Sequence, residues 1–168
     1  MTTEYLLDRE VSHVLAALMP QNRLIFRVIL RTGARISDVL SLKTEQIKPS
    51  FWYTETKTGK RRRMGLGEDL CAEILAQAGE VWAFPSPRSS GHKTRQAVWA
   101  DVKRAQKAFR LPQNIGTHSA RKVYAVHLMK RYGDIAKVRK ALNHSSDSTT
   151  AIYAIADMLL EAKRGKRG

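Results

Sequence analysis

The sequence predicts an α+β fold that is mainly α-helical, with a small antiparallel β-hairpin or three-stranded sheet set into it. Three observations predict this. Apolar residues recur at i, i+3, i+4 and i+7 through most of the chain, the spacing of helices with one buried face. The period changes once, at residues 51–66, where strand-forming residues flank a turn. No internal repeat, low-complexity block or long linker parts the chain into two domains. With 168 residues, 43% of them hydrophobic, the chain supports one core of ordinary size, so a single domain over residues 1–168 is expected.

The elements follow in order. DREVSHVLAALM (8–19) is apolar at Val11, Val14, Leu15 and Leu18, with Asp8 as N-cap and Pro20 beyond its end. NRLIFRVILRTG (22–33) is a second helix, capped by Asn22 and stopped by Gly33, and ISDVLSL (36–42) a short third. FWYTET (51–56) and RRRMGL (61–66) surround KTGK and read as a hairpin with Gly59 in its turn, and EQIK (45–48) is expected to add a third strand. EDLCAEILAQAG (68–79) returns to helix. FPSPRSSGHK (84–93) is a loop, and a helix capped by Thr94 runs over 94–109. Helices are expected at 117–131, 134–142, about 147–155 and 156–164, with Gly133 separating the first two. Residues 156–168 form a C-terminal helix and a basic tail, AKRGKRG.

Thirty Lys and Arg stand against 15 Asp and Glu, a net charge of +15. That excess calls for a polyanionic partner. The cations are spread over the hairpin, several helices and the tail rather than gathered on one amphipathic helix, which favours nucleic acid over a membrane surface. Cys71 is the sole cysteine, so no intramolecular disulfide or cysteine-rich metal site is possible and a reducing compartment fits. MTTEYLLDREV lacks the basic region and apolar run of a secretory signal, and no apolar stretch approaches the ~20 residues of a membrane span.

Motifs for several chemistries are missing from the sequence. There is no GxxxxGK[ST] loop for ATP, no HExxH, no CxxC and no visible carboxylate cluster for paired Mg²⁺ ions. What the chain does carry is cations and a phenol. Arg35 follows Gly33 in TGARISDVL, with Asp38 three residues on. Lys57 opens the hairpin turn. In GTHSARK, Thr117 reads as an N-cap, and His118 and Arg121 share one helix face at i and i+3, an arrangement that repels unless an anion lies between them. His144 lies in LNHSSDSTTAIY, and Tyr153 follows nine residues later.

At these residues the chain resembles the catalytic domain of the tyrosine recombinases, the phage-integrase family. TGARISDVLSL resembles the family's first arginine box, ETKTGKRRRMGL its lysine hairpin, GTHSARKVYAVHL its His-x-x-Arg box, and YGDIAKVRKALNHSSDSTTAIY its last box through the tyrosine. The resemblance covers residues 8 to 155. One departure is Asn143 where the family usually has glycine; asparagine tolerates the left-handed backbone better than most residues. Another is that the resemblance begins at the catalytic domain, so no N-terminal core-binding domain is expected.

The resemblance implies a site-specific recombinase or integrase that cleaves and rejoins double-stranded DNA through a 3′-phosphotyrosine, with no metal, ATP or other cofactor. It implies Arg35, Lys57, His118, Arg121 and His144 as catalytic residues, Tyr153 as nucleophile and Asp38 in support. Arg35 and Arg121 would flank the non-bridging oxygens, since a guanidinium fork stays charged and matches two oxygens. A phenol of pKa near 10 needs activation, and His118 would take its proton. Lys57 would protonate the leaving 5′-oxygen. Lys60, Arg61, Arg62, Arg63, Arg95 and Lys122 are read as DNA-backbone contacts. Self-association on DNA through the C-terminal helix is expected, with no membrane partner, for a bacterial or phage-encoded protein in the cytoplasm at the nucleoid. Two alternatives stay open: a topoisomerase-like relaxing enzyme, and a catalytically silent DNA-binding regulator, against which the full residue set argues.

Each residue has a plainer reading. Arg35 could pair with Asp38. Tyr5, Tyr53, Tyr124 and Tyr132 compete with Tyr153, and Tyr124 sits where the family packs a core aromatic. His127 reads as structural, His13 and His92 carry no motif, and Trp52, Trp82 and Trp99 are read as core.

Overall fold

The computed structural model describes residues 3–142 and Gly165. Helices α1 (Asp8–Ala17), α2 (Pro20–Thr32) and α3 (Ile36–Leu40) lead into the hairpin strands β1 (Ser50–Thr54) and β2 (Arg61–Gly65). Helices α4 (Gly67–Gln77), α5 (Arg95–Ala108), α6 (Thr117–Tyr132) and α7 (Ile135–Ala141) follow. The helices expected at 147–155 and 156–164, and the basic tail, lie outside the described residues.

Among the described residues the sheet has two strands, not three. Ser50 pairs with Gly65 and Thr54 with Arg61 in an antiparallel ladder, and Gly59 takes the left-handed conformation in the turn (φ 67°). The segment expected as a third strand instead forms a 3-10 turn, Thr44–Gln46. Its backbone is satisfied elsewhere: Lys43 bridges Trp82, and Thr44 N–H donates to Val81 C=O.

Two helix starts also differ from expectation. Leu7, not Asp8, caps α1, and Glu10 reaches back to accept the Leu7 N–H at 2.7 Å. Pro20 lies beyond the end of α1, as expected, and it also begins α2, ahead of the expected start at Asn22, because proline suits the first helical turn, where no N–H partner exists. The group expected to cap this helix, Asn22, is buried within it. Its amide donates to Asp101 Oδ2 at 2.8 Å, and the Met19 N–H donates to the same oxygen. Asp101, on α5, thereby ties the α1–α2 corner to a distant helix. These hydrogen bonds outweigh its burial and hold its pKa below 3.8.

The core lies between α2 and the elements around it. Ile25, Phe26, Val28 and Ile29 of α2 are fully buried with Val39, Met64, Ile74, Phe84, Val98 and Ala120. Each large side chain so removed from water contributes about 1.5–3 kcal/mol. A smaller cluster joins α6 to α7 through Ala125, Val126, Val138 and Leu142, with Tyr5 and Tyr124 at its edge. Trp52 and Trp99 are not core residues; each is 58% exposed. Trp82 is partly buried, edge-on to His92.

Candidate active site

Arg35 reaches its place through a sharp break in the chain. Helix α2 ends at Gly33 in the left-handed conformation (φ 65°), and a Cβ there would collide with the Tyr124 ring of α6. Only glycine meets both demands. The Thr32 hydroxyl donates to Val28 C=O and accepts the Ala34 N–H, which closes the turn. Arg35 is then the extended N-cap residue of α3, and it is 8% exposed.

Its ion-pair partner is Glu55, not Asp38. Arg35 Nη1 donates to Glu55 Oε2 at 3.1 Å. Asp38 is buried in the first turn of α3, and its Oδ1 accepts the Thr56 N–H at 2.8 Å. Asp38 thus fixes the start of the turn that carries Lys57. Lys57 itself is exposed within the turn.

His118 and Arg121 enter from α6. Gly116, not Thr117, is the cap residue, and Ser119 Oγ accepts its N–H at 3.2 Å. Arg121 is buried while His118 opens to solvent. Burial first, and then Arg35 and Arg62, lower the Arg121 pKa to about 10, which leaves it a cation at neutral pH. Desolvation, followed by Arg121, Arg95, Lys122 and Arg35, pushes the His118 pKa below 6.5. A neutral imidazole at the rim of a cationic floor is a ready proton acceptor.

The hairpin divides its cations between two faces. Arg61 and Arg63 are exposed on the same face as Trp52, and the Arg61 guanidinium lies 5.5 Å from the Trp52 ring centroid. Arg62 points the other way, so its grouping with the outward cations does not hold. Strand alternation places it beside buried Tyr53 and Met64. Arg62 Nη2 donates to Thr32 C=O at 2.5 Å, and Nη1 lies 3.5 Å from Glu55 Oε1. The site thus gathers three guanidinium groups, Arg35, Arg62 and Arg121, around Glu55, with Asp38 close by. Arg35 Nη2 and Arg121 Nη2 are buried and have no hydrogen-bond partner among the described residues. Two unsatisfied cationic donors in one buried, electropositive cluster form a receptor for an anion.

Of the other expected DNA contacts, Lys60 is exposed at the hairpin end and Arg95 is exposed at the start of α5, near His118. Lys122 is only partly exposed. Its ammonium donates to Thr3 C=O, drawn by that carbonyl and by Glu4.

The competing side chains sort clearly. Tyr53 is buried, and desolvation raises its pKa to about 12, so it is an un-ionised phenol at neutral pH. Desolvation, then Asp8 and Glu10, raise that of Tyr5. Tyr124 packs against Gly33, and Tyr132 is 46% exposed near the end of α6. His127 lies 3.4 Å from Asp8 at the surface, and His13 stacks on Phe109. His144 and Tyr153 lie outside the described residues, as does Asn143. Among the described residues no group of three or more His, Cys, Asp or Glu is placed to hold a metal ion. No described helix is long and apolar enough to cross a membrane.

Sequence reasoning did not single out Glu55 or the inward role of Arg62. The alternation of the strands was the available signal: Arg62 shares parity with Met64 and pairs with Tyr53.

The model of the phage integrase family matches residues 4–159. A probable integrase/recombinase of Bacillus subtilis, YoeC, is 32% identical over 151 residues, covering 86% of this chain and 83% of that one. The tyrosine recombinase XerD of Corynebacterium glutamicum is 30% identical and shares 86% of this chain, which spans only 52% of XerD. The catalytic domain of bacteriophage HP1 integrase superimposes with a TM-score of 0.63 at 26% identity, over 96% of this chain and 93% of that domain.

Proposed function

The chain belongs to the phage integrase family, the tyrosine recombinases, and from that membership we propose that it breaks and rejoins double-stranded DNA through a 3′-phosphotyrosine on Tyr153. The observation that carries this reading is the pair of buried guanidinium nitrogens on Arg35 and Arg121 that have no partner among the described residues, Arg121 lying on the helix that also carries His118.

In this reading the scissile phosphate enters the cationic cluster. Attack on phosphorus places further negative charge on its non-bridging oxygens, and Arg35 and Arg121 meet that charge. Each such donor contributes about 3–4 kcal/mol to the transition state. His118 accepts the proton of Tyr153 as the phenol oxygen bonds to phosphorus, and His144 adds a hydrogen bond to the phosphoryl group. The bond to the 5′-oxygen breaks as Lys57 protonates it. The phosphodiester energy is retained in the tyrosyl ester, so a DNA hydroxyl reverses the step and joins the strands. Lys60, Arg61, Arg63 and Arg95 hold the flanking phosphates. The C-terminal helix expected over 156–164 docks on a neighbouring subunit assembled on the same DNA, and the protein works at the bacterial nucleoid.

The test is incubation with a pool of nicked duplexes from which the released strand diffuses away, followed by sequencing of the trapped DNA. We expect covalent capture in EDTA and without ATP. Tyr153→Phe removes one oxygen; it should keep DNA affinity and abolish the adduct. Capture that persists in Tyr153→Phe would assign another nucleophile, and a strict need for Mg²⁺ would overturn the mechanism. Nicking and closing without strand exchange would point to a relaxing enzyme, and binding without capture to a regulator.

A further inference from the structure

We propose that Glu55 is a positioning residue for this cleavage reaction: it grips one nitrogen of Arg35, and orients Arg62, so that the other nitrogen of Arg35 is presented to the scissile phosphate. The inference rests on the phosphotyrosine reading above.

Glu55 follows the last residue of β1, at the mouth of a polar turn, where a glutamate would ordinarily stay in water. Instead its side chain is fully buried. Its Oε2 accepts from Arg35 Nη1 at 3.1 Å and from the Thr58 hydroxyl at 2.7 Å. Its Oε1 faces Arg62 Nη1 at 3.5 Å. A single carboxylate thereby joins three separate parts of the site: the N-cap of α3, strand β2, and the turn that carries Lys57.

The electrostatics require such a group. Arg35, Arg62 and Arg121 converge in a buried volume, and without an anion among them their repulsion and desolvation would drive them apart. Glu55 offsets that repulsion before any DNA arrives. It does so without filling the receptor, because Arg35 Nη2 and Arg121 Nη2 still have no partner among the described residues. A planar guanidinium held by one arm is fixed in orientation at the other. Arg35 therefore gives one arm to Glu55 and one to the phosphate, rather than a two-armed grip on the phosphate alone. Asp38 accepts the Thr56 N–H through Oδ1, and the ion pairs of Arg35 and Arg62 among the described residues go to Glu55.

This division of labour predicts opposite effects on binding and on chemistry. Glu55→Gln keeps the shape and removes one negative charge from the DNA-facing cluster. The full chain carrying it should bind an intact duplex as tightly as wild type or more tightly. At saturating nicked duplex it should form the covalent adduct roughly 10- to 100-fold more slowly, the scale expected when a reacting group is misplaced by about 1 Å. Glu55→Asp, which keeps the charge, should recover part of the rate. Thr58→Val, which removes only the hydroxyl contact, should give a smaller slowing with an unchanged melting temperature. A substrate with a better 5′ leaving group should rescue Lys57→Ala but not Glu55→Gln, since the Glu55 lesion lies at the non-bridging oxygens. A wild-type capture rate in Glu55→Gln, or a parallel loss of affinity, rate and melting temperature in both Glu55→Gln and Glu55→Asp, would overturn the role of Glu55 while leaving the recombinase reading intact. Failure of the wild-type chain to capture DNA would overturn both.

Discussion

His118 and Arg121 stand three residues apart on α6 but meet different surroundings. Arg121 is sunk among two other arginines, whereas His118 sits at the solvent edge above them. Both are pushed toward their neutral forms, and the consequences differ. Arg121, at about 10, stays charged at any physiological pH. His118, held below 6.5, is already neutral near pH 7. A base must be deprotonated to act, so capture at limiting DNA, which reports the free enzyme, should rise with pH through a value below 6.5 and level off by neutrality. His118→Asn should remove that rise and lower the plateau. A His118-dependent inflection above 6.5 in single-turnover pH profiles would contradict the assignment.

The site depends on two joints between elements. One is the hairpin, whose two faces separate outward cations and Trp52 from inward Arg62 and Tyr53. The other is the α2–α3 break at Gly33, where α2 packs on α6 through Tyr124. Gly33→Ala would add a methyl group at a left-handed position and into that ring. We expect a loss of roughly 2 kcal/mol or more in stability, measurable by chemical denaturation. The same methyl shifts Arg35 relative to Arg121, so adduct formation at a temperature where the variant is folded should fall by more than DNA affinity does. Wild-type stability in Gly33→Ala would show that the α2–α6 contact yields more readily than the geometry implies.

At the scale of the molecule, the net charge of +15 is far larger than the catalytic cluster needs. The surplus is spread over exposed positions such as Lys60, Arg61, Arg63 and Arg95, which suits contact with a duplex backbone. Neutralising about six phosphates gives a log–log dependence of affinity on salt with a slope near ~−5. A filter-binding or anisotropy titration over a range of salt concentrations checks it. Affinity that does not change with salt would mean that the exposed cations face something other than DNA.

Read alone, the sequence determined the helical class, the hairpin with Gly59 at its turn, the stop at Gly33 and the anion-seeking character of the chain. These depend on local spacing, backbone preference and composition, which are carried by neighbouring residues. Only the tertiary structure decided that Pro20 opens a helix held by Asp101 of α5, that residues 44–46 turn rather than pair with the hairpin, and that Trp52 and Trp99 lie outside the core. It alone gave Arg35 the partner Glu55 in place of Asp38, and it settled which of the two strand faces, already separated by alternation, turns inward with Arg62. Those outcomes follow from contacts between segments far apart in the chain. A carboxylate near an arginine in sequence is no closer to it in space than folding makes it, and the charge of a side chain does not reveal which face of a strand it will occupy.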